Sequence, residues 1–309
     1  PEGVLLCQSC APGGMVVIPD GVGGAFVTWG DVRGPSSDVY LQRVTASGEI
    51  AQGWPSDGVA VCTDPAVQAL SSATADGQGG VVIAWYDGRN VFGGTTRVDI
   101  YAQRILADGS LAPGWPMNGA PVTRAPGDQD FPVVARDGVG GAFFSWTDRA
   151  SLDISLQHLS ASGDVAPGWP AEGLPVCVLP AAQGAPRLTT DEMGGVFVAW
   201  ADLRDGPLAA YAQRVYADGS IAAGWPENGA RIVADRAIRE LAGDGAGGAY
   251  LSSATLGDIQ DSGYYLQRFT GAGTIAPGWP EGGALVASPA EFSRAGLRMV
   301  PDGAGGALL

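Results

Sequence analysis

Basic side chains are scarce in this sequence. Across its 309 residues, 17 Lys and Arg stand against 32 Asp and Glu, which gives a formal net charge of −15. Proteins that bind a phosphate backbone cluster basic residues on one surface, whereas the basic residues of this chain are scattered. The balance excludes nucleic acid as an expected partner, and an acidic surface of this kind serves solubility and attracts cations.

Long apolar runs are absent as well. No stretch approaches the about 20 consecutive apolar residues that a membrane-spanning helix requires, so we expect a protein that is not inserted in a membrane. The 49 glycines and 22 prolines occur beside 46% hydrophobic residues. This combination disfavours disorder, because the glycines punctuate turns between apolar segments.

Cysteine is limited to four positions, Cys7, Cys10, Cys62 and Cys177. A zinc site needs two more ligands than the Cys7-x-x-Cys10 motif offers, so no metal is predicted. That motif is interpreted either as free structural thiols or as a local disulfide. Cys62 and Cys177 hold the same repeat position, too far apart for a disulfide, and are expected to be small buried apolar residues.

One sequence motif recurs through the whole chain and defines a repeat. A period of about 55 residues without a helical pattern inside it is typical of a ring or array of small β-sheets. Successive Gly-Trp-Pro copies are separated by 61, 54, 56 and 54 residues. The motif opens with Asp-Gly-x-Gly-Gly, degenerate in the fourth copy, and closes with Gly-Trp-Pro; the opening aspartates are Asp20, Asp76, Asp137, Asp191, Asp244 and Asp302, and the closing tryptophans are Trp54, Trp115, Trp169, Trp225 and Trp279.

Each repeat contains four segments with strand character. In the fourth copy we predict strands over 185–190, 195–200, 211–216 and 229–233, joined by turns with Asp-Gly and similar pairs. Four consecutive antiparallel strands per repeat describe a blade of a β-propeller. We therefore expect an all-β protein with four-stranded antiparallel blades, five complete and one incomplete, with a six-bladed ring favoured over a fragment of a seven- or eight-bladed ring.

The repeats assign 1–309 to a single β-propeller domain. Its repeat units are about 1–52, 53–113, 114–167, 168–223, 224–277 and 278–309. Both ends interrupt a repeat, so we interpret the sequence as a fragment of a longer chain. The segment around Val4 to Cys7 is expected to serve as the outer strand of the sixth blade.

The amino-acid sequence of the repeat resembles repeats of bacterial secreted and cell-surface proteins. They read Asp-Gly-x-Gly-Gly-Ala, Trp-x-Asp-x-Arg and Asp-Ile-Tyr-Ala-Gln-Arg, and the best match is the segment from Asp76 to Arg104. The resemblance implies a propeller in a large exported protein, with no assigned biochemical role. It also implies an extracellular or cell-surface location and possible assembly with the rest of that exported protein.

In the first four repeats a Trp-x-Asp-x-Arg motif (Trp-x-Asp-Arg in the third) stands where the second strand enters its loop, whereas the fifth repeat has Ser253 and Thr255 at the Trp and Asp positions. The motif permits two interpretations. One is a set of lectin-like pockets, in which indole stacks on sugar while Asp and Arg bind hydroxyl groups. The other is structural, with tryptophan packed internally and Asp paired to Arg. The candidate ligand-binding residues are Trp29, Asp31, Arg33, Trp85, Asp87, Arg89, Asn90, Phe92, Trp146, Asp148, Arg149, Trp200, Asp202 and Arg204.

Other residues that could carry chemistry have structural explanations. The single histidine, His158, takes the place of Arg in a Gln-Arg column, and no nucleophile and acid mark its repeat as catalytic. Calcium at the Asp-Gly-x-Gly-Gly turns is considered, but each turn offers few carboxylates. A glycosidase needs a pair of carboxylates, and the glutamates that stand outside the repeat columns are Glu192, Glu240 and Glu291.

We therefore predict no catalytic residues, no cofactor and no enzymatic activity. The expected function is a non-catalytic extracellular interaction module that binds glycan or protein at the cell surface. Its binding face carries the long loop at 90–97, since loops on rigid scaffolds hold most binding sites. The alternatives are a structural unit of a surface layer, fibre or large complex, and a glycoside hydrolase.

Overall fold

Strands form all of the regular structure in the computed structural model. It describes residues 3–90, 98–255, 263–288, 299–302 and 306–308, and none of these is helical. Among them there is accordingly no helix with the length and apolar character needed to cross a membrane. The expectation of an all-β protein is confirmed.

Five sheets each contain four strands in chain order, and a short sixth sheet contains two. The first sheet is β1 (Pro12–Pro19), β2 (Ala25–Asp31), β3 (Asp38–Val44) and β4 (Val59–Cys62); the second is β5 (Gln68–Ala75), β6 (Val81–Asp87), β7 (Asp99–Ile105) and β8 (Ala120–Pro121); the third is β9 (Gln129–Arg136), β10 (Ala142–Asp148), β11 (Ile154–Leu159) and β12 (Leu174–Cys177).

The remaining sheets follow the same order along the chain. The fourth is β13 (Gln183–Thr190), β14 (Val196–Asp202), β15 (Ala209–Val215) and β16 (Ala230–Val233); the fifth is β17 (Arg236–Gly243), β18 (Ala249–Thr255), β19 (Tyr264–Phe269) and β20 (Ala284–Ala287); the short sixth sheet is β21 (Val300–Pro301) and β22 (Ala307–Leu308).

Neighbouring strands pair antiparallel, as the hairpin turns predicted. In the fourth sheet, β14 and β15 pair without interruption from Val196↔Val215 to Asp202↔Ala209. The four strands predicted for this repeat agree with the observed strands within two residues at each end. The segment around Val4 to Cys7 is different: it forms no strand, so its predicted role as an outer strand is wrong for the described residues.

The Asp-Gly-x-Gly-Gly sequence folds into the hairpin turn between the first and second strands of a sheet. Asp20 Oδ1 accepts hydrogen bonds from the amides of Val22 (3.0 Å) and Gly24 (2.8 Å), so the aspartate closes its own turn. Gly24 has no room for a side chain, because a Cβ would lie 2.3 Å from the Val44 carbonyl oxygen. The recurrence of Asp and Gly is explained by this turn.

The chain divides into two compact units, residues 1–144 with 157–173 and residues 145–156 with 174–309. Each unit has its own apolar core. In the first, Phe26, Trp54 and Trp85 lie in one buried cluster. In the second, Phe197 and Trp225 do so. Burial of aromatic and aliphatic side chains on this scale is the main stabilising contribution.

The Gly-Trp-Pro tryptophans connect each sheet to the next one within a unit. Trp54 Nε1 donates to the Ala107 carbonyl oxygen (3.3 Å), which joins the first sheet to the second. Trp225 Nε1 donates to the Gly271 carbonyl oxygen (2.9 Å) in the second unit. A buried indole N–H needs such an acceptor, so this part of the repeat is explained by packing.

Candidate functional site

The second repeat shows how the Trp-x-Asp-x-Arg motif is used. Asp87 is fully buried, and its carboxylate accepts hydrogen bonds from Trp85 Nε1 (2.8 Å) and from Arg89 Nε and Nη2 (2.8 and 2.7 Å). Arg89 also donates to the Asn118 carbonyl oxygen (2.6 Å) and lies 3.8 Å over the Tyr101 ring. We call this set of Trp, Asp, Arg and Tyr the clamp.

The clamp recurs in the first and fourth repeats. Arg33 stacks 3.9 Å from Tyr40, and Arg204 stacks 3.9 Å from Tyr211. The bidentate pairing of guanidinium and carboxylate is strong and directional. The clamp therefore ties the end of the second strand to the third strand and to the Gly-Trp-Pro turn. Its members are Trp29, Asp31, Arg33 and Tyr40 in the first repeat, and Trp200, Asp202, Arg204 and Tyr211 in the fourth.

The geometry of the clamp favours the structural interpretation of these motifs. The three indoles are at most 2% exposed, and each clamp carboxylate is fully buried. The hydrogen-bonding groups that a lectin pocket would offer to sugar are thus engaged within the protein. Ligand binding by these residues stays a prediction.

The third and fifth repeats depart from the clamp. Trp146 is buried, but the Asp148 carboxylate caps its own loop through the amides of Ala150 (2.9 Å) and Ser151 (3.0 Å), and Arg149 is exposed. In the fifth repeat, Arg236 from β17 lies 3.4 Å over the Tyr265 ring and donates to the Gly282 carbonyl oxygen.

Arg236 thus occupies the place of the missing clamp arginine. Sequence reasoning missed this replacement, because Arg236 comes from a different strand. The sequence signal that remained was Tyr265, which corresponds to the tyrosine on which the arginine of the other clamps stacks.

The Gln-Arg column is also internal. Arg104 Nε donates to Asp76 Oδ2 (2.8 Å), and Gln103 Nε2 donates to the Pro116 carbonyl oxygen (2.8 Å). In the third repeat His158 takes the place of this arginine and likewise contacts the turn aspartate, since its Nε2 lies 3.0 Å from Asp137 Oδ2. The structural role predicted for His158 agrees with this contact.

The cysteines lie beside the clamps. Cys7 and Cys10 form a disulfide, although their sulfur atoms and a carboxylate oxygen of Asp31 are close enough to form a metal-ligand set. Cys62 and Cys177 are buried and free, as expected. Burial raises the pKa of Cys62 to about 11 and that of Cys177 to about 12, so both remain neutral thiols.

Asp38, at the start of β3, is a buried carboxylate with one described hydrogen bond, from Ser36 Oγ (3.2 Å). Burial raises its pKa, and Asp31 on the paired strand adds to the effect. A raised folded-state pKa disfavours the ionised folded protein, so this carboxyl lowers stability as pH rises above about 4.

We therefore expect Asp38→Asn, which keeps an oxygen for Ser36, to raise the Tm at pH 7. The gain should shrink at pH 3, where both states of Asp38 are largely protonated. Thermal unfolding at the two pH values measures it, and an unchanged or lower Tm at pH 7 contradicts the assignment.

A second group of polar residues surrounds the base of the long loop. Asn90 donates to the Asp99 carboxylate, and Asp128 Oδ1 accepts from the Val98 amide (3.1 Å). Phe92, the other loop residue predicted to bind ligand, lies outside the described residues. The two ends of the loop and the residues before β9 are therefore held together.

Phe131 lies beside this group in an unusual conformation. Its φ is 55°, which is uncommon for a residue other than glycine, and its side chain is 57% exposed. The Tyr86 hydroxyl oxygen accepts a hydrogen bond from the Phe131 amide (2.6 Å), and this bond joins β6 to β9. The equivalent residue of the fourth repeat, Ala185, has a φ of 50°, so this conformation belongs to the repeat and the distinguishing feature of Phe131 is its exposed ring. We call Tyr86, Asp99, Asp128, Asp130 and Phe131 the rim.

Two rim residues, Asp130 and Phe131, belong to the third repeat alone, whereas Asp128 has an equivalent in Asp235 of the fifth repeat. At the positions of Asp128, Asp130 and Phe131, the second repeat has Val67, Ala69 and Leu70, and the fourth has Ala182, Gly184 and Ala185. Sequence reasoning examined glutamates for unshared carboxylates and missed these aspartates. Comparison of this column between repeats was the signal that could have found them.

No protein-family model matches the chain, and no curated protein matches it significantly. Among solved structures, a protein of unknown function from Dyadobacter fermentans DSM 18053 is similar at a TM-score of 0.50 and 15% identity, over 88% of this chain and 82% of that one. The polysaccharide lyase Uly1 follows with a TM-score of 0.47 and 10% identity, over 81% and 69%. The Hadza microbial sialidase Hz136 has a TM-score of 0.45 and 10% identity, over 80% and 50%.

Other similar structures also carry the names of carbohydrate-active enzymes: an endo-arabinase, a family-43 glycoside hydrolase and two levansucrases. These findings contradict two expectations, the non-catalytic interaction module and the absence of enzymatic activity, and we withdraw both. At such low identity the likeness itself shows a β-propeller-like fold and does not assign a reaction.

Proposed function

We propose that this chain is a carbohydrate-active domain that cleaves glycosidic bonds, with the rim as its site. The observation that carries the proposal is the placement of two carboxylates, Asp128 and Asp130, beside the exposed aromatic ring of Phe131. None of the three is required by the repeat, because the neighbouring repeats fold with small or apolar residues in their places.

The chemistry of glycoside cleavage fits this set of side chains. It uses two carboxyl groups, about 5–5.5 Å apart in retaining enzymes and about 6.5–9.5 Å apart in inverting ones. Asp128 and Asp130 are two positions apart, so their Cα atoms are separated by at most about 7 Å. Both are partly exposed, and the Phe131 ring offers an apolar face on which a sugar ring can stack.

The test is release of new reducing ends from a panel of neutral and acidic polysaccharides. We expect Asp130→Asn to lower the rate at least about 100-fold, as loss of an acid–base group does, and Phe131→Ala to raise KM. The matched control is Asp218→Asn, an exposed aspartate whose carboxylate accepts hydrogen bonds from Ser220 within its own turn. No release from any substrate, or equal losses in Asp130→Asn and the control, contradicts the proposal.

We further propose that the five four-stranded sheets and the short sixth sheet belong to one six-bladed ring in an exported bacterial protein. The proposal is supported by the recurrence of the clamp and of the Gly-Trp-Pro contact, which shows that successive sheets are built alike. An experimental structure of the protein would test the blade number. Seven or more blades would contradict it.

A structural or assembly role remains the second candidate. It is favoured by the internal use of the repeat residues, since the clamp and the Gln-Arg column leave no need for an outside ligand. Sedimentation of the purified chain tests it: defined higher oligomers without any glycan cleavage would favour assembly over the proposed activity.

A further inference from the structure

The first unit contains a cavity of about 590 Å³ beside the turns of its first two sheets. Its walls combine apolar side chains with glycine backbone: Ile18, Pro19 and Val22 on one side, and Gly77 and Gly79 on another. The two glycines have φ of 75° and 88°. Glycine at such positions exposes the peptide edge, so a bound molecule can approach the backbone closely.

Arg136 lines the same cavity at the end of β9. Its side chain is exposed and makes no hydrogen bond or ion pair within the part of the chain that the structure describes. The corresponding residues of other repeats are Pro19, Ala75, Thr190 and Gly243. The repeat therefore does not explain this arginine.

The charges around the cavity leave Arg136 as an uncompensated cation. The other charged lining residue, Asp20, is paired with Arg43 at 2.9 Å. Asp76, behind the second turn, is paired with Arg104 at 2.8 Å. In a chain with a net charge of −15, an unpaired guanidinium facing a concave, partly apolar surface is suited to an anion with an apolar body.

We propose that this cavity binds a small organic carboxylate, with Arg136 pairing the carboxylate and Ile18, Pro19 and Val22 covering a ring-sized body. The site is separate from the rim. Asp130 and Arg136 stand six residues apart along β9, which corresponds to about 20 Å of extended strand. A ligand in the cavity would therefore not occupy the position proposed for the cleaved bond.

The experiment is a titration followed by backbone amide NMR and by calorimetry. The probes are D-galacturonate and benzoate, which carry the carboxylate on a sugar or an aromatic ring, and their neutral counterparts are D-galactose and benzamide. We expect at least one acid to bind and to shift the amides of Gly77 and Gly79, with neither neutral compound binding comparably. Which acid binds distinguishes a sugar acid from an aromatic acid as the source.

Variants decide whether Arg136 recognises the carboxylate. We expect Arg136→Gln to weaken binding at least about tenfold, the loss of one charge-assisted pair, and Arg136→Lys to retain part of it. The matched control is Arg239→Gln, which removes an exposed arginine of β17 that does not line the cavity. Binding of the neutral compounds as tight as that of the acids overturns the proposal, and so does no binding of either acid or an equal loss in both glutamine variants.

Discussion

Asp202→Ala is expected to lower the free energy of unfolding by about 3–5 kcal/mol at pH 7. The Asp202 carboxylate is fully buried and accepts hydrogen bonds from Trp200 Nε1 and from the Arg204 backbone amide, both at 2.8 Å, as well as from the Arg204 guanidinium. Its removal leaves a mostly buried cation and an indole N–H without their acceptor. Removing one partner of a buried ion pair costs this much because the remaining charge is uncompensated.

Urea unfolding of the purified variant measures this loss. The control is Asp218→Ala, since Asp218 accepts hydrogen bonds from Ser220 in an exposed turn, and we expect it to unfold with nearly unchanged stability. If Asp202→Ala is as stable as the control, the clamp does not stabilise the fold.

Acid is expected to destabilise the protein strongly between pH 4 and pH 2. Burial acts to raise the pKa of Asp31, but hydrogen bonds from Arg33, Trp29 and the Ala11 amide outweigh it and lower the pKa to about 2. The unfolded value is about 3.9. The folded state therefore releases the proton more readily, and this stabilisation is present above about pH 4 and lost as pH falls through 2.

For Asp31 alone the difference corresponds to about 2–3 kcal/mol. Other buried or partly buried aspartates add to it with the same sign, because hydrogen bonds and arginine or histidine partners outweigh burial and lower their pKa values; they are Asp20, Asp137, Asp202 and Asp244.

Urea unfolding at pH 5, 4, 3 and 2 measures the slope. We expect Asp31→Asn to be less stable than the wild type at pH 5 and to show a shallower loss on acidification. A free energy of unfolding that stays constant from pH 5 to pH 2 would refute this account of the carboxylates.

The sheets were predictable because their determinants are local. Turn residues such as Asp20 and Gly24 repeat with the sheet, and the apolar run at 196–200 marks a strand covered on both faces. The Val4 to Cys7 segment was predicted wrongly because its resemblance to a fourth strand was not matched by a paired neighbour. Hydrogen bonding to an adjacent strand, and not residue type, defines a strand.

The clamp was predicted as one of two interpretations, because Trp, Asp and Arg at a fixed spacing can either bind a sugar or form an internal ion pair beside a packed indole. Its third-strand tyrosine and the replacement by Arg236 depend on contacts between strands and were not foreseen. The rim was also missed. Its signal lies in differences between repeats, above all at Asp130 and Phe131, whereas the repeat itself drew attention to shared residues.

The most direct test compares Asp202→Asn and Asp130→Asn in the same two measurements, Tm and release of reducing ends at a temperature where both are folded. We predict a crossed result: Asp202→Asn lowers Tm and keeps its turnover, whereas Asp130→Asn keeps its Tm and loses turnover at least about 100-fold. The reverse result, in which Asp202→Asn abolishes cleavage without a change in Tm while Asp130→Asn remains active, would place the function in the clamp and contradict our assignment.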